Sequence, residues 1–185
     1  MITDAQRALQ WVRTHAEEYH INPDKVGMLG FSAGGHLALS TAWFHNHDFL
    51  KDAGVENETN LRPAFLGAIY PVVTMVKPYV HKRSRRGLLS EKHHRDPVMC
   101  DSLSLERHVP ADCPPVFFAN CVDDPVVDYR NSVVLDSALT AAHVDHRYIQ
   151  FQTGGHSFGA SEKRGTAECR EWKTEFLKWL AEIKF

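Results

Sequence analysis

The chain has no apolar run near the roughly 18 residues of a membrane span, and no charged-then-apolar leader follows Met1. Transmembrane anchoring is therefore not expected. Cysteine is sparse: Cys100, Cys113, Cys121 and Cys169 form no C-x-x-C pair, which removes the zinc-ribbon and thioredoxin readings. They read as free thiols, because 185 residues can bury a sizeable core without disulfides. Excess positive charge is missing too. A formal net charge of -2 argues against a nucleic-acid binder, which needs a strong positive field. Histidine is plentiful at 12, but the histidines lie singly or in pairs without metal-ligand spacing. No metal or organic cofactor is implied.

Also missing is any histidine followed by glycine, or any glycine triplet. An HGGG-type oxyanion loop is therefore absent.

What is present reads as alternating helices and strands. Thr3-Asp4-Ala5-Gln6 has the form of a capping box opening a helix that should run to about His20. Asn22-Pro23-Asp24 is a turn. Lys25–Phe31 is a short apolar run typical of a strand buried on both faces, and a helix should follow from about Gly35 to Phe44. Further strands fall at Ala64–Tyr70, Pro115–Cys121 and His146–Phe151. Helices are expected at Tyr129–Ala142 and Glu168–Ile183, the latter burying Trp172, Phe176, Trp179 or Leu180, and Ile183. This alternation predicts one α/β domain over 1–185 with a mostly parallel sheet covered on both faces. The basic stretch Val80–Arg95 interrupts it, within an excursion at about 76–112. It reads as a solvated loop or as a lid or substrate wall; without interleaved aromatics it does not suit nucleic acid.

Gly30-Phe31-Ser32-Ala33-Gly34 is a G-x-S-x-G sequence between a strand and a helix, the context of a nucleophile elbow. Side chains at the flanking glycines should collide with backbone. The turn lifts Ser32 above the sheet at a helix N-terminus, where the Ala33 N–H can donate to an oxyanion. A serine nucleophile needs a base oriented by an acid, in the chain order Ser, acid, His. Asp123 and Asp124 follow the strand ending near Cys121, and His156 follows the one ending near Phe151. His36 reads as a packing residue, and His93-His94 as solvated loop residues.

The stretches Asn22–Ala38, Ala68–Met75, Asp123–Ser132 and Gly154-Gly155-His156-Ser157-Phe158-Gly159 resemble bacterial carbohydrate esterases of the acetylxylan and feruloyl esterase type, which have the α/β-hydrolase fold. The resemblance implies Ser32, Asp124 and His156 as the catalytic residues. The family's D-x-x-V-P pattern, counted back from Asn131-Ser132, selects Asp124; Asp128 replaces the usual proline, so Asp123 stays in play. It also implies hydrolysis of small acyl esters, acetyl first. The alternatives are a catalytically silent scaffold or a prolyl-peptidase-like enzyme.

The resemblance covers the C-terminal two-thirds of the family's usual length, so the N-terminal strands of the sheet are expected to be missing. The Lys25–Phe31 strand then becomes an edge suited to homo-oligomer formation. Losing one oxyanion donor costs roughly 100- to 1000-fold in turnover in a comparable case. The compartment is left open, bacterial cytoplasm or an exported location.

Overall fold

A computed structural model of the chain describes residues 1–184. Four strands, β1 (Met28–Phe31), β2 (Leu66–Ile69), β3 (Val116–Cys121) and β4 (His146–Phe151), form one sheet in the order β1-β2-β3-β4. All three pairings are parallel, with Gly30 opposite Ala68, Ala68 opposite Phe118, and Phe118 opposite Tyr148. Parallel neighbours require crossovers, and helices supply them. The helices are α1 (Ile2–Thr14), α2 (Ala33–Trp43), α3 (Phe49–Asp52), α4 (Lys82–His93), α5 (Pro97–Ser102), α6 (Arg130–Ala141), α7 (Ala167–Arg170) and α8 (Trp172–Glu182).

Alternation along the strands fills two cores. Val116 and Phe118 of β3 pack with Leu39 and Trp43 of α2 and with Leu135 and Leu139 of α6. Phe117, Ala119 and Cys121 face the other side, against Trp172, Phe176 and Trp179. Trp179 enters that core fully, while Leu180 packs only at its margin.

Several boundaries differ from the sequence reading. The N-cap of α1 is Met1, so Thr3 lies inside the helix and forms no capping box. Gln6 does not reach back; its amide donates to the His47 carbonyl and accepts from the Phe49 N–H. The helix stops at Thr14, and the chain turns through His20 at a φ of 53°. Helix α2 begins at Ala33, directly after Ser32. The C-terminal helix divides at Glu171 into α7 and α8. Strand β1 is not buried on both faces: Leu29 is 42% exposed, and among the described residues the strand pairs only with β2.

The largest correction concerns residues 76–112. Val80–Arg95, for which a solvated loop is one of two readings of the sequence, carries helix α4, and the stretch packs on a small core shared with its neighbours. Leu89 of α4 and Cys100 of α5 are buried together with Val72, Met75 and Val127. The basic side chains Lys82, Arg83 and Arg86 lie on the exposed side of α4.

Asn131, fully buried at the start of α6, ties this unit to the sheet. Its Oδ1 accepts from the Val73 and Thr74 N–H groups at 2.9 and 3.1 Å. Its Nδ2 donates to the carbonyls of Tyr79 and Asp128 at 2.9 and 3.0 Å. Removing this side chain takes the partner from the Val73 and Thr74 N–H groups and from the Tyr79 carbonyl, while the Asp128 carbonyl keeps the Asn131 N–H at 2.9 Å. Asn131→Leu should cost about 2–4 kcal/mol, read in urea as a lower midpoint at unchanged slope. Ser137→Ala, on the exposed side of α6, should shift the midpoint far less. The open edge of β1 predicts that this chain self-associates; a monomer at every concentration in sedimentation velocity would exclude that.

Candidate active site

The turn after β1 puts Ser32 at φ 55° and ψ -120°, as N-cap of α2. A non-glycine residue there is strained, and close packing makes room for it. A Cβ on Gly30 would collide with the carbonyl of Gly34, so glycine is required. Gly34 does not share that constraint: a Cβ there meets nothing within 4 Å. The second close approach is made by Gly35, where a Cβ would lie 3.0 Å from the Pro71 side chain. The Ser32 N–H donates to the Ile69 carbonyl at 2.9 Å, and its carbonyl accepts from the N–H groups of Val72, Gly35 and His36.

Beyond the C-terminal end of β3, two adjacent aspartates divide two tasks. Asp124 Oδ1 accepts from the Val126 and Val127 N–H groups at 2.8 and 3.0 Å, which fixes the carboxylate. Its Oδ2 meets His156 Nδ1 at 2.6 Å. Asp123 instead accepts from the Gly154 and Gly155 N–H groups at 3.2 and 2.8 Å. It clamps the loop that carries His156. Gly154 and Gly155 sit at φ 144° and 64°, and a Cβ on Gly154 would run into the sulfurs of Cys121 and Cys169.

His156 Nε2 lies 2.9 Å from Ser32 Oγ. The structure thus brings Ser32, His156 and Asp124 into one hydrogen-bonded chain. The Asp124 and His156 side chains are 1% and 7% exposed, so water competes little for their contact. Ala33 and Gly34 open α2, and helix geometry leaves their N–H groups without an intrahelical acceptor. These groups and the helix dipole favour negative charge beside Ser32.

Tyr70 carried no role in the sequence reading. Its ring packs against His156 at 4.5 Å between centroids, and its hydroxyl accepts from the Gly159 N–H at 3.0 Å. Burial holds its phenol above the ordinary value, so it stays protonated. The available signal was position, since Tyr70 directly follows β2 at the sheet end where α/β folds place ligands.

A cavity of about 690 Å³ opens over Ser32 and His156. Leu37, Val72, Met75 and Leu103 give it apolar walls, while His81, Arg83 and Ser84 come from α4 and the residue before it. His36 also lines it, but as a packing residue. Its ring meets the Leu103 carbonyl at 3.0 Å and Ser40 Oγ at 3.2 Å, and burial pushes its pKa down. His94 is buried at the end of α4, with Nδ1 against the carbonyls of Ser90 and Glu91; it is not a solvated loop residue. Among the described residues, no three His, Cys, Asp or Glu side chains are grouped to hold a metal. No helix among them is long and apolar enough to cross a membrane.

The comparisons agree with this fold. The BD-FAE family model matches residues 1–139. An acetylxylan esterase of Xylanibacter ruminicola is 28% identical over 160 residues, covering 85% of this chain and 31% of that protein. The endo-1,4-beta-xylanase B of Butyrivibrio fibrisolvens is 31% identical over 156 residues, covering 84% of this chain and 24% of that protein. The chain thus spans about a third or less of these two relatives. A crystal structure of an acetyl ester-xyloside bifunctional hydrolase from Caldicellulosiruptor lactoaceticus superposes with a TM-score of 0.85 at 32% identity, over 100% of this chain and 66% of that one. The chain belongs to the BD-FAE family and has the α/β-hydrolase fold that it shares with esterases of the acetylxylan esterase type.

Proposed function

We propose that the chain is a serine carboxylic-ester hydrolase for small acyl esters, acetyl esters of carbohydrate first, with Ser32 as nucleophile, His156 as base and Asp124 as acid. The observation that carries this is the relay itself, 2.9 Å from Ser32 to His156 and 2.6 Å on to Asp124, at the floor of a cavity. The names of the relatives support the same reaction class.

In the first half-reaction Ser32 Oγ attacks the ester carbonyl as its proton passes to His156 Nε2. The carbonyl π electrons move onto oxygen, and the Ala33 N–H donates to that oxyanion. Collapse breaks the carbon–oxygen bond to the alcohol, which leaves with the proton from His156. Water, deprotonated by His156, then attacks the acyl-serine carbonyl; collapse breaks the Ser32 Oγ–acyl bond, frees the carboxylic acid and returns the proton from His156 to Ser32 Oγ. Asp124 keeps Nδ1 protonated and stabilises the imidazolium. Tyr70 positions the ring from its other side. The helical unit at 76–112 serves as the wall that shapes the substrate.

Hydrolysis of p-nitrophenyl acetate should fall to the uncatalysed rate in Ser32→Ala purified in the same way. Equal rates in the two proteins would make the chain a silent scaffold and overturn the proposal. The two aspartates should separate. Asp124→Asn presents the wrong hydrogen-bonding partner to Nδ1 and should lower kcat by about 1,000- to 10,000-fold. Asp123→Asn keeps an acceptor for the glycine loop and should lower it by about tenfold or less. Equal losses in folded protein would overturn the assignment of the acid.

A further inference from the structure

The stretch from Val80 to Arg95 carries six Lys or Arg residues and one Glu in a chain whose net charge is -2. The esterase mechanism makes no use of that charge. Most of the cations around α4 have other roles or positions. Arg85 Nη1 donates to the Met75 carbonyl at 3.2 Å and fastens the helix to the chain beneath it. Arg86 pairs with Glu91 at 2.9 Å. Lys82 is exposed and does not line the cavity. Arg83 does line the cavity, and it makes no ion pair among the described residues.

The rest of the wall is arranged to match. Among the described residues that line the cavity, none is Asp or Glu. Asp124 lies behind His156 and is committed to it. His81 lines the cavity beside Arg83, and its Nδ1 meets Ser84 Oγ at 2.7 Å. Burial, and then the neighbouring His156, push the His81 pKa down, so this ring offers hydrogen bonding without charge. This part of the lining therefore holds the Arg83 guanidinium beside the polar His81 and Ser84, and among the described residues no carboxylate lines the cavity to repel or neutralise an anion.

The side of the ester that meets this wall follows from the relay. His156 hands its proton to the departing alcohol, so the alcohol part lies on the His156 side, and His81 and Arg83 line the same cavity as His156. The acyl part is left to the apolar surface of Leu37, Val72 and Leu103.

We propose that Arg83, with His81 and Ser84, forms a subsite for a carboxylate on the alcohol part of the substrate, so that the preferred esters are acylated hydroxy acids or sugar acids. This rests on the esterase reading and narrows it. A guanidinium suits the role because its planar donors match a carboxylate in two-point contact.

The test uses two aryl acetates that differ in charge at one end, 4-acetoxybenzoate and its methyl ester, both releasing acetate. The quantity read is the ratio of kcat/KM for the acid to that for the methyl ester. Arg83→Gln should lower this ratio by about 3- to 10-fold, the scale of a partly solvated charge contact. Added salt should lower it in the wild-type chain and much less in the variant. Lys82→Gln should leave the ratio unchanged, and an equal drop there would replace the subsite with a diffuse field. A larger effect of Arg83→Gln on mono-4-nitrophenyl succinate, whose charge lies on the acyl side, would overturn the placement. An unchanged ratio in Arg83→Gln overturns the proposal while leaving Ser32-dependent hydrolysis standing. If neither acetate is hydrolysed, the esterase reading fails first. Calorimetric binding of 4-acetoxybenzoate to Ser32→Ala, with and without Arg83→Gln, then decides the subsite independently: weaker binding without Arg83 sustains it, equal binding removes it.

Discussion

The site depends on one strained turn, held at both ends. Ser32 at φ 55° and ψ -120° occupies backbone space that costs on the order of 1–3 kcal/mol for a side-chain-bearing residue. The turn persists because its surroundings over-determine it. Gly30 lets the carbonyl of Gly34 come close, Ile69 holds the Ser32 N–H, and three N–H groups converge on the Ser32 carbonyl. One of the three belongs to Val72, so the chain leaving β2 is locked to the same point. Tyr70, within that exit, packs on His156. The conformation of the serine and the placement of the histidine thus share a support.

The other two loops meet the turn through a division of labour between neighbouring carboxylates. Asp124 spends one oxygen on its own loop and the other on His156. Asp123, one residue earlier and pointing elsewhere, takes the two glycine N–H groups that precede His156. The loops after β3 and β4 are therefore joined through the histidine ring and through the backbone of Gly154 and Gly155 just before it. A loop tied at two points restricts the imidazole more than one tied at a single point. Asn131 extends the framework by joining the segment after β2 to the start of α6 and to Tyr79, just ahead of α4.

Local signals were enough to read the strand–turn–helix around Ser32 and the positions of Asp124 and His156. Backbone sterics dictate Gly30 in that turn, whereas chain order past the strand ends offered Asp123, Asp124 and His156 and the family resemblance selected Asp124. Longer-range packing was not legible. Residues Lys82–His93 show apolar residues only at Leu88 and Leu89, too few for a helical periodicity, because their burial depends on Met75, Cys100 and Val127, all distant in sequence. Gln6 invited a capping-box reading that failed because its amide is used by the segment around His47, some forty residues away. Gly34 misled for the opposite reason. It keeps the motif's spacing although nothing near it would obstruct a Cβ, so in this chain the steric requirement falls on Gly30 and Gly35.

Chemistry and recognition are consequently built from material of different stiffness. Ser32, Asp124 and His156 stand at the ends of a parallel sheet packed on both faces, where a shift in one strand would have to move two cores. The wall beside them rests on a third, smaller core and presents a row of cations at the surface. Two of its arginines are engaged, one under the helix and one along it. That leaves Arg83 at the cavity, where replacing it disturbs no ion pair among the described residues. Among the described residues Arg83 holds no ion pair of its own, and it lines the same cavity as Ser32 and His156 without being part of their hydrogen-bonded chain.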